Sequence, residues 1–357
     1  MKVLIYLAIL VFLAACSKES ERTSLFSGTG ESAANAERAA ISVNHPVSLP
    51  ADHASHPAYE LEWWYLTLVL EDKQQQPYGV QFTLFRFATN PGYVSNWSDT
   101  QRWMGHASLH TPASHAFESR FAAGGVGNAG VNSQPFNAWI DNWQWQSETA
   151  APFPATLRFT INKNTSLSFD IESNGPYIRH GDSGVSVKSR DGRFRSYYYS
   201  QPFLTASGTI KHNDTEYTVA GKAWYDHEWT SQLARKEALG WDWFSVHFDN
   251  GDKLMAFQMH VDDAAPYTTG TYIERNGNAH TLTDADLSIQ ATGTEIINDK
   301  PVPVNWRIIS QKHDIDITMS PFKSGQWNPG QFAYYEGRVD VSGTHTGAGF
   351  MELTGYQ

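Results

Sequence analysis

Residues 221–260 contain the side chains of this chain that are best suited to chemistry. In the middle of this stretch, the run A-W-Y-D-H-E-W places two carboxyl groups and an imidazole among indole and phenol rings. Buried polar groups are costly unless they are paired or functional. In a β-strand, alternate side chains lie on opposite faces. A strand over residues 223–229 is therefore predicted to have two different faces. One face carries Tyr225, His227 and Trp229, and the opposite face carries Trp224, Asp226 and Glu228.

The residues alone leave three interpretations of this run open. Asp226 and His227 could act in acid–base catalysis, or they could form a hydrogen-bonded pair that satisfies buried groups at a domain junction. The third interpretation is a metal site. Adjacent His and Glu side chains on a strand point to opposite faces, and neither H-E-x-x-H nor another ligand spacing is present. No metal site is therefore predicted.

A second cluster lies earlier in the chain, in the run E-L-E-W-W. Glu60, Glu62 and Trp64 are predicted to share one face of a strand, and Glu62 and Trp64 are candidates for contact with a ligand. The alternative is a barrel strand with its charges outward and Trp63 inward. Arg86 lies in a second apolar strand and needs a carboxylate partner, and Glu62 is the natural partner across the hairpin.

The N-terminus predicts the cellular location. Residues 1–15 combine a basic start with an apolar run too short to span a membrane, which indicates a signal peptide. The ending L-A-A-C is similar to a bacterial lipobox, in which Cys16 becomes the lipidated first residue, although a stray cysteine after an ordinary secretory peptide is the alternative. Ser17 rather than Asp follows, so the expected location is the outer membrane, facing the periplasm. Residues 16–50 are rich in small and polar residues and are predicted to be a flexible tether.

Composition argues against several classes of function. The formal net charge is −11, and removal of residues 1–15 with their one Lys leaves −12. An acidic chain without a basic block argues against nucleic-acid binding and leaves the lipid as the expected membrane contact. Cys16 is the only cysteine, so its acylation would exclude disulfides and thiolate catalysis. Neither G-x-G-x-x-G nor a phosphate-binding loop is present, so no cofactor is predicted. The oligomeric state is left open.

From residue 59 onward the chain is dominated by strand-length runs of β-branched and aromatic residues. Residues 61–70 and 79–87 form the first such pair, joined by a polar turn. The aromatic content of 13% favours closed barrels with apolar interiors. Residues 231–239 are a short helical candidate. The length beyond the tether predicts two domains, over residues 51–230 and 231–357.

Six motifs follow one another between about residues 56 and 356: H-P-A-Y-E-L-E-W-W-Y-L-T, G-V-Q-F-T-L-F-R, S-Y-Y-Y-S-Q-P-F-L, G-K-A-W-Y-D-H-E-W, G-W-D-W-F and G-F-M-E-L-T-G-Y. On these motifs the chain resembles the AttH and carotenoid 1,2-hydratase family of lipocalin-like proteins. The resemblance implies an all-β chain of two consecutive lipocalin-like antiparallel β-barrel domains, with ligand access between or within them.

The resemblance also implies roles for individual residues. In the hydratase branch, D-H-x-W is associated with adding water to an isolated alkene, which carries over to Asp226, His227 and Trp229. Asp226 and His227 are then the expected catalytic acid–base residues, and Trp229 and Trp241 are expected to shape the pocket, where an indole face can stabilise a cation. Residues 254–259 carry no acidic side chain, where the hydratases are expected to have one.

Two main hypotheses about function remain open. The first is an envelope lipoprotein that adds water to, or hydrolyses, a hydrophobic molecule such as an isoprenoid or a lipid. The second is a carrier or scavenger of apolar ligands without turnover, and a purely structural envelope protein is a third. Convergence of His227 with Asp226 or Glu62 on one cavity between the domains would favour the enzyme. A His227 sealed in solid packing would favour the carrier or the structural protein.

Overall fold

The computed structural model describes residues 38–89, 99–233, 238–262 and 264–356. The predicted signal peptide, Cys16 and the first part of the predicted tether lie outside these ranges. Within these ranges, we find no helix with the length and apolar character needed to cross a membrane.

A first antiparallel sheet is built from the N-terminal strands. These are Leu61–Asp72 (β1), Pro77–Ala88 (β2), Gln101–His110 (β3), His115–Ala123 (β4), Ala129–Ser133 (β5), Phe136–Ile140 (β6), Trp143–Ser147 (β7), Ala155–Ile161 (β8), Thr165–Ser173 (β9), Ile178–Arg179 (β10), Val185–Val187 (β11), Arg195–His212 (β12) and Thr215–Thr230 (β13). Their order in the sheet is β4-β3-β2-β1-β13-β12-β9-β8-β7-β6-β5, while β10 and β11 pair with β12. The sheet curls into a nearly closed barrel.

A second antiparallel sheet follows in the chain. Its strands are Ala238–Phe248 (β14), Lys253–Val261 (β15), Tyr267–Ile273 (β16), Ala279–Leu282 (β17), Ser288–Ile297 (β18), Lys300–Ser310 (β19), Ile315–Pro321 (β20), Trp327–Asn328 (β21), Tyr334–Gly343 (β22) and Gly347–Leu353 (β23). Their order is β17-β16-β15-β14-β23-β22-β20-β19-β18, with β21 paired to β22. Two short 3₁₀ helices, Ala51–His53 and Gln311–His313, complete the described elements. The predicted all-β class is confirmed, whereas the predicted domain boundaries stay a prediction.

Alternation of buried and exposed residues explains how these sequences form sheets. In β7, for example, W-Q-W-Q-S buries Trp143, Trp145 and Ser147 and exposes the two glutamines, as expected for a strand with one face on a core. The buried apolar residues form three clusters, one inside the first sheet, one inside the second and one shared by the two sheets. The shared cluster packs the two sheets against each other, and it surrounds the candidate site.

The strands β13 and β14 contain residues 221–230 and 238–248 of the stretch 221–260, and they place these residues beside the shared cluster. β13 is paired on both sides, with β1 and with β12, so its position is fixed by two ladders of hydrogen bonds. Its even-numbered side chains face the second sheet, and Trp224 meets Trp243 of β14 edge to face, with ring centroids 6.4 Å apart. Trp243 also donates from Nε1 to the hydroxyl of Tyr198 on β12 at 3.1 Å. These contacts hold the polar residues of β13 at the seam between the sheets.

Two sequence predictions are corrected by the fold. Residues 38–50 were assigned to the tether, but Ile41 and Val47 are buried in the core of the first sheet, and Val47 donates its N–H to the carbonyl of Ser183 at 3.0 Å. Two apolar side chains in a polar stretch suffice to hold it on the barrel. The helix predicted over residues 231–239 is wrong at its end, because Ala238 begins β14; residues 234–237 lie outside the described ranges.

Candidate functional site

The two faces of β13 lead to two different polar sites. Asp226 and Glu228 point into a pocket between the sheets, while His227 points into the core of the first sheet. The alternation of strand side chains, which predicted opposite faces for these neighbours, is therefore observed. Asp226 and His227 do not meet at one cavity, and Glu62 meets His227 inside the first sheet, so the convergence between the domains that would favour an enzyme is not found.

The pocket between the sheets is lined mainly by aromatic rings together with carboxyl groups. Its empty space, including the part open to solvent, is about 450 Å³. It is a narrow slot, because its water-accessible part has room for about two water molecules. The lining residues are Trp63, Tyr65, Thr83, Phe85, Asp226, Glu228, Leu233, Trp241, Trp243, Phe257 and Glu352. Apolar walls with a few convergent polar groups are typical of sites for small organic molecules.

Asp226 is held rigidly at this pocket by three donors. Its Oδ2 accepts from the hydroxyl of Tyr198 at 2.8 Å, and its Oδ1 accepts from Trp224 Nε1 at 2.7 Å and from the hydroxyl of Ser200. Burial raises the pKa of Asp226 to about 7, although the three donors favour the carboxylate. A carboxyl group with this pKa is a proton donor near neutral pH.

Two further carboxyl groups line the same pocket. Glu352 of β23 accepts from Trp241 Nε1 at 2.8 Å. Burial raises the pKa of Glu352 to about 8, and the neighbouring Asp226 and Glu228 carboxyl groups act in the same direction. Glu228 lies 3.0 Å from the buried Lys188 ammonium. The pocket thus combines two carboxyl groups that hold protons near neutral pH with a third that is ion-paired.

His227, on the other face of β13, belongs to a hydrogen-bonded network inside the first sheet. Its Nε2 lies 2.9 Å from Glu62 Oε1, and its Nδ1 lies 3.0 Å from the hydroxyl of Tyr199. The same Glu62 oxygen lies 2.7 Å from His56 Nδ1, and Arg86 Nε donates to Glu62 Oε2 at 2.8 Å. The predicted Glu62–Arg86 pair across the hairpin is therefore confirmed.

The ionisation of this network follows from burial and charge. Burial raises the pKa of Glu62, but His56, His227 and Arg86 outweigh it and hold that pKa well below its ordinary value. Burial lowers the pKa of His56, and the Glu62 and Asp52 carboxylates raise it overall to about 9. Burial lowers the pKa of His227 to about 4 despite its bond to Glu62. At neutral pH the network is then a carboxylate between two cations, with a neutral His227 that donates from Nε2 and accepts from Tyr199.

Three atoms of this network that could act as metal ligands lie close together. The spacing of these residues along the sequence gave no indication of such a group. The ligand atoms of His56, Glu62 and His227 all lie within 4.8 Å of one another. The N···O distances of 2.7 and 2.9 Å are those of hydrogen bonds. A metal at about 2.0–2.2 Å from each ligand would require wider separations. Arg86 also holds the second oxygen of Glu62. The contacts therefore fit an ion-paired hydrogen-bond network.

The other predicted site residues divide between these two regions. Trp229 stacks on His56, with ring centroids 3.9 Å apart, and Trp64 stacks on His227 at 4.8 Å, so Trp64 and Trp229 lie with Glu62 inside the first sheet. Trp241 lines the pocket with Asp226. His227 is fully buried among these aromatic rings, the arrangement that favours a carrier or a structural role for it. The assigned roles of all these residues stay predictions.

Sequence reasoning did not single out several residues that line the pocket. Glu352 lies in the terminal G-F-M-E-L motif, and the signal that could have found it is an acid within an otherwise apolar strand. Glu228 was recognised only as a neighbour of Asp226. Trp243 belongs to the G-W-D-W-F motif, and it lies two residues after Trp241, so strand alternation could have placed it beside Trp241 on the same face.

Comparisons with known proteins agree with this architecture. A family profile described as AttH-like matches residues 40–356. Among solved structures, a protein of Nitrosomonas europaea that carries the AttH name is 29% identical, with a TM-score of 0.80, and the match covers 89% of this chain and 99% of that one. Kievitone hydratase from Nectria haematococca is 15% identical, with a TM-score of 0.66, covering 94% and 98%. At that identity the likeness concerns the fold alone. No curated protein matches this chain in sequence.

Proposed function

The chain belongs to the AttH-like family, and on that premise we propose that it adds water to a carbon–carbon double bond of a hydrophobic molecule, whose alkene end enters the slot between the two sheets when the lining side chains move apart. The observation that carries this proposal is the pocket itself, in which Asp226 and Glu352 hold protons near neutral pH among indole and phenyl rings. An unactivated alkene needs a proton donor and an environment that tolerates a carbocation, and this pocket offers both.

In the first step of the proposed reaction, the carboxyl group of Asp226 transfers its proton to one alkene carbon. The other carbon becomes a cation, which the faces of Trp241 and Trp243 stabilise electrostatically. The donors from Tyr198, Ser200 and Trp224 stabilise the carboxylate that Asp226 becomes.

In the second step, a water molecule forms the new carbon–oxygen bond at the cation. Glu228, which is held near Lys188, takes the proton that this water loses. Glu228 then releases this proton to solvent and Asp226 takes one up from solvent, so the net change is the addition of one water. Glu352, which holds its proton near neutral pH, then adds no further negative charge beside the apolar substrate.

The proposal assigns His227 a positioning role rather than contact with the substrate. Its ring is fully buried, and its two nitrogens are engaged by Glu62 and Tyr199. The complete burial of His227, taken alone, favours a carrier. At the neighbouring pocket, the raised pKa values of Asp226 and Glu352 favour an enzyme over a carrier. The name of kievitone hydratase agrees with a hydration, but the proposal does not rest on it.

The experiment is conversion of an alkene-containing lipid extract in D₂O by the full chain, followed by mass spectrometry. Hydration leaves one deuterium on carbon in the product, whereas hydrolysis of an ester leaves none. Asp226→Asn should lower conversion by about 100-fold or more, the usual contribution of a general acid. The matched control Asp170→Asn, an exposed carboxyl group on β9, should convert at the wild-type rate. Lipids that are bound and returned unchanged would refute the enzyme and support the carrier.

We also propose that Cys16 is acylated and anchors the protein to the outer membrane, facing the periplasm. The support is the L-A-A-C sequence and the Ser that follows it. Labelling with a fatty acid should tag the wild-type chain and leave Cys16→Ser untagged. Label on both chains, or on neither, would contradict the anchor.

A further inference from the structure

A second polar site lies at the seam between the sheets, on the far side of Trp224 from Asp226. The ring of His247 on β14 packs against the edge of Trp224, with centroids 5.7 Å apart, while the Nε1 of Trp224 donates to Asp226 at 2.7 Å. His247 is 4% exposed, yet neither of its ring nitrogens has a hydrogen-bond partner among the residues that the structure describes. A buried imidazole without a partner is costly, so a group that formed a hydrogen bond with it would be stabilised there.

Two lysines converge on the same cavity as this histidine. Lys253 is the direct cross-strand partner of His247 in the β14–β15 ladder, so the two side chains lie on one face. Lys222 enters from β13, on the face that also carries Trp224 and Asp226. All three residues line a cavity whose empty space, including the part open to solvent, is about 440 Å³. Lys253 is 8% exposed, so one cation of the site is itself buried.

The local charges leave a net demand for an anion. Lys222 and Lys253 bring two positive charges to the cavity, and Asp252, which also lines it, brings one negative charge. The oxygens of Asp252 also accept from the hydroxyl of Tyr272 at 2.6 Å and from the backbone N–H of Arg275 at 2.8 Å. Burial lowers the pKa of Lys253 to about 8, and Lys222 acts in the same direction, whereas Asp252 acts against them. A bound anion would relieve this repulsion and provide His247 with a partner.

The remaining walls of the cavity are mainly apolar, with Asn174 and Thr205 as further polar residues. Phe203, Leu204 and Phe248 line it, and Lys253 Nζ lies 3.8 Å over the ring of Phe203. A neighbouring cavity shares Lys222 and His247 and is also lined by Arg338, but its three carboxylates, from Glu71, Asp249 and Asp340, outnumber its two cations and oppose an anion. The first cavity is therefore the better anion site.

We propose that the cavity lined by Lys222, His247 and Lys253 binds the anionic head of a small amphipathic molecule, a carboxylate or a phosphate, whose apolar part lies against Phe203 and Phe248. The two lysines neutralise the head, and His247 donates a hydrogen bond to it. This site is separate from the hydration pocket, and its occupancy does not depend on the proposed reaction.

The test is titration calorimetry of the full chain in non-ionic detergent with three water-soluble probes: hexanoate, hexyl phosphate and hexanol. At least one of the two anions should bind ten times more tightly than hexanol, and whichever anion binds better identifies the head group. Inorganic phosphate alone should bind more weakly than hexyl phosphate, since it lacks the apolar part. Equal affinity for hexanol and both anions would overturn the proposal.

Substitutions of the two lysines test whether the anion binds in this cavity. Lys253→Gln and Lys222→Gln should each weaken binding of the preferred anion about tenfold, while Lys211→Gln, an exposed lysine on β12, should bind like the wild type. Lys222 is exposed, so its variant keeps the test decisive if the buried Lys253 variant does not fold. Wild-type affinity in both folded cavity variants, or in Lys222→Gln when only that variant folds, would also overturn the proposal.

Discussion

Replacement of Asp226 by Asn should change how the stability of the protein depends on pH. Burial raises the pKa of Asp226 from its ordinary 3.8 to about 7. The folded state therefore binds the proton more tightly than the unfolded state does. The stability that this proton contributes is fully present below the unfolded pKa and is lost as the pH rises through about 7.

The size of the effect follows from the difference between the two pKa values. Because one pKa unit corresponds to 1.36 kcal/mol, the carboxyl group of Asp226 costs the folded state about 4 kcal/mol once it is ionised. Asn cannot ionise. Its carbonyl oxygen can still accept from Trp224 and Ser200, while its NH₂ group can only donate and therefore loses the hydrogen bond that Asp226 accepts from Tyr198. The free energy of unfolding of Asp226→Asn, relative to the wild type, should thus rise by about 4 kcal/mol between pH ~4 and pH ~8.

Urea unfolding of both proteins across this pH range measures the difference directly. A difference in the free energy of unfolding that is the same at every pH reflects a change in packing and does not test the prediction. The prediction concerns how this difference changes with pH. Asp170→Asn should show no such change. An offset for Asp226→Asn that stays constant within about 1 kcal/mol would refute the claim that this carboxyl group is protonated at neutral pH.

The remaining predictions concern the network inside the first sheet. Arg86→Met leaves the buried Glu62 carboxylate without its guanidinium partner and should lower the free energy of unfolding, measured in urea, by about 3–5 kcal/mol. The control Arg307→Met breaks an exposed ion pair and should unfold like the wild type. A similar loss of stability in both variants would contradict the reasoning. His227→Gln keeps a hydrogen-bond donor for Glu62, so the rate of substrate conversion should stay within about tenfold of the wild-type rate. A loss as large as that of Asp226→Asn would show that the histidine takes part in the chemistry. A chelator should leave the unfolding temperature unchanged, since the histidine and glutamate contacts are hydrogen bonds; a drop that added zinc reverses would instead reveal a bound metal.

The parts of the fold that could be predicted from sequence are those set by local pattern. Strand alternation placed Asp226 and His227 on opposite faces, and the cross-hairpin position paired Glu62 with Arg86. The assignment of Asp226 and His227 to one catalytic site contradicted that alternation, because it followed from their adjacency in a motif. Side chains on opposite faces of a central strand belong to different sides of a sheet.

The rest of the site depends on packing between distant segments, which local pattern does not encode. Glu352 reaches the pocket only because β23 pairs with β14. The approach of His56 to His227 likewise depends on a loop before β1 that folds back over the barrel. Such contacts follow from how the sheets curl and meet, so spacing along the chain could not reveal them.

The protonation state of Asp226 is the central claim, and it can be measured without knowing the substrate. The infrared difference between the wild type and Asp226→Asn isolates the carboxyl band of this residue, which can be followed from acidic to alkaline pH. The band of the protonated form should disappear with a midpoint at about pH 7. A midpoint near its ordinary value of 3.8 would mean that Asp226 is already a carboxylate at neutral pH, and it could not be the proton donor.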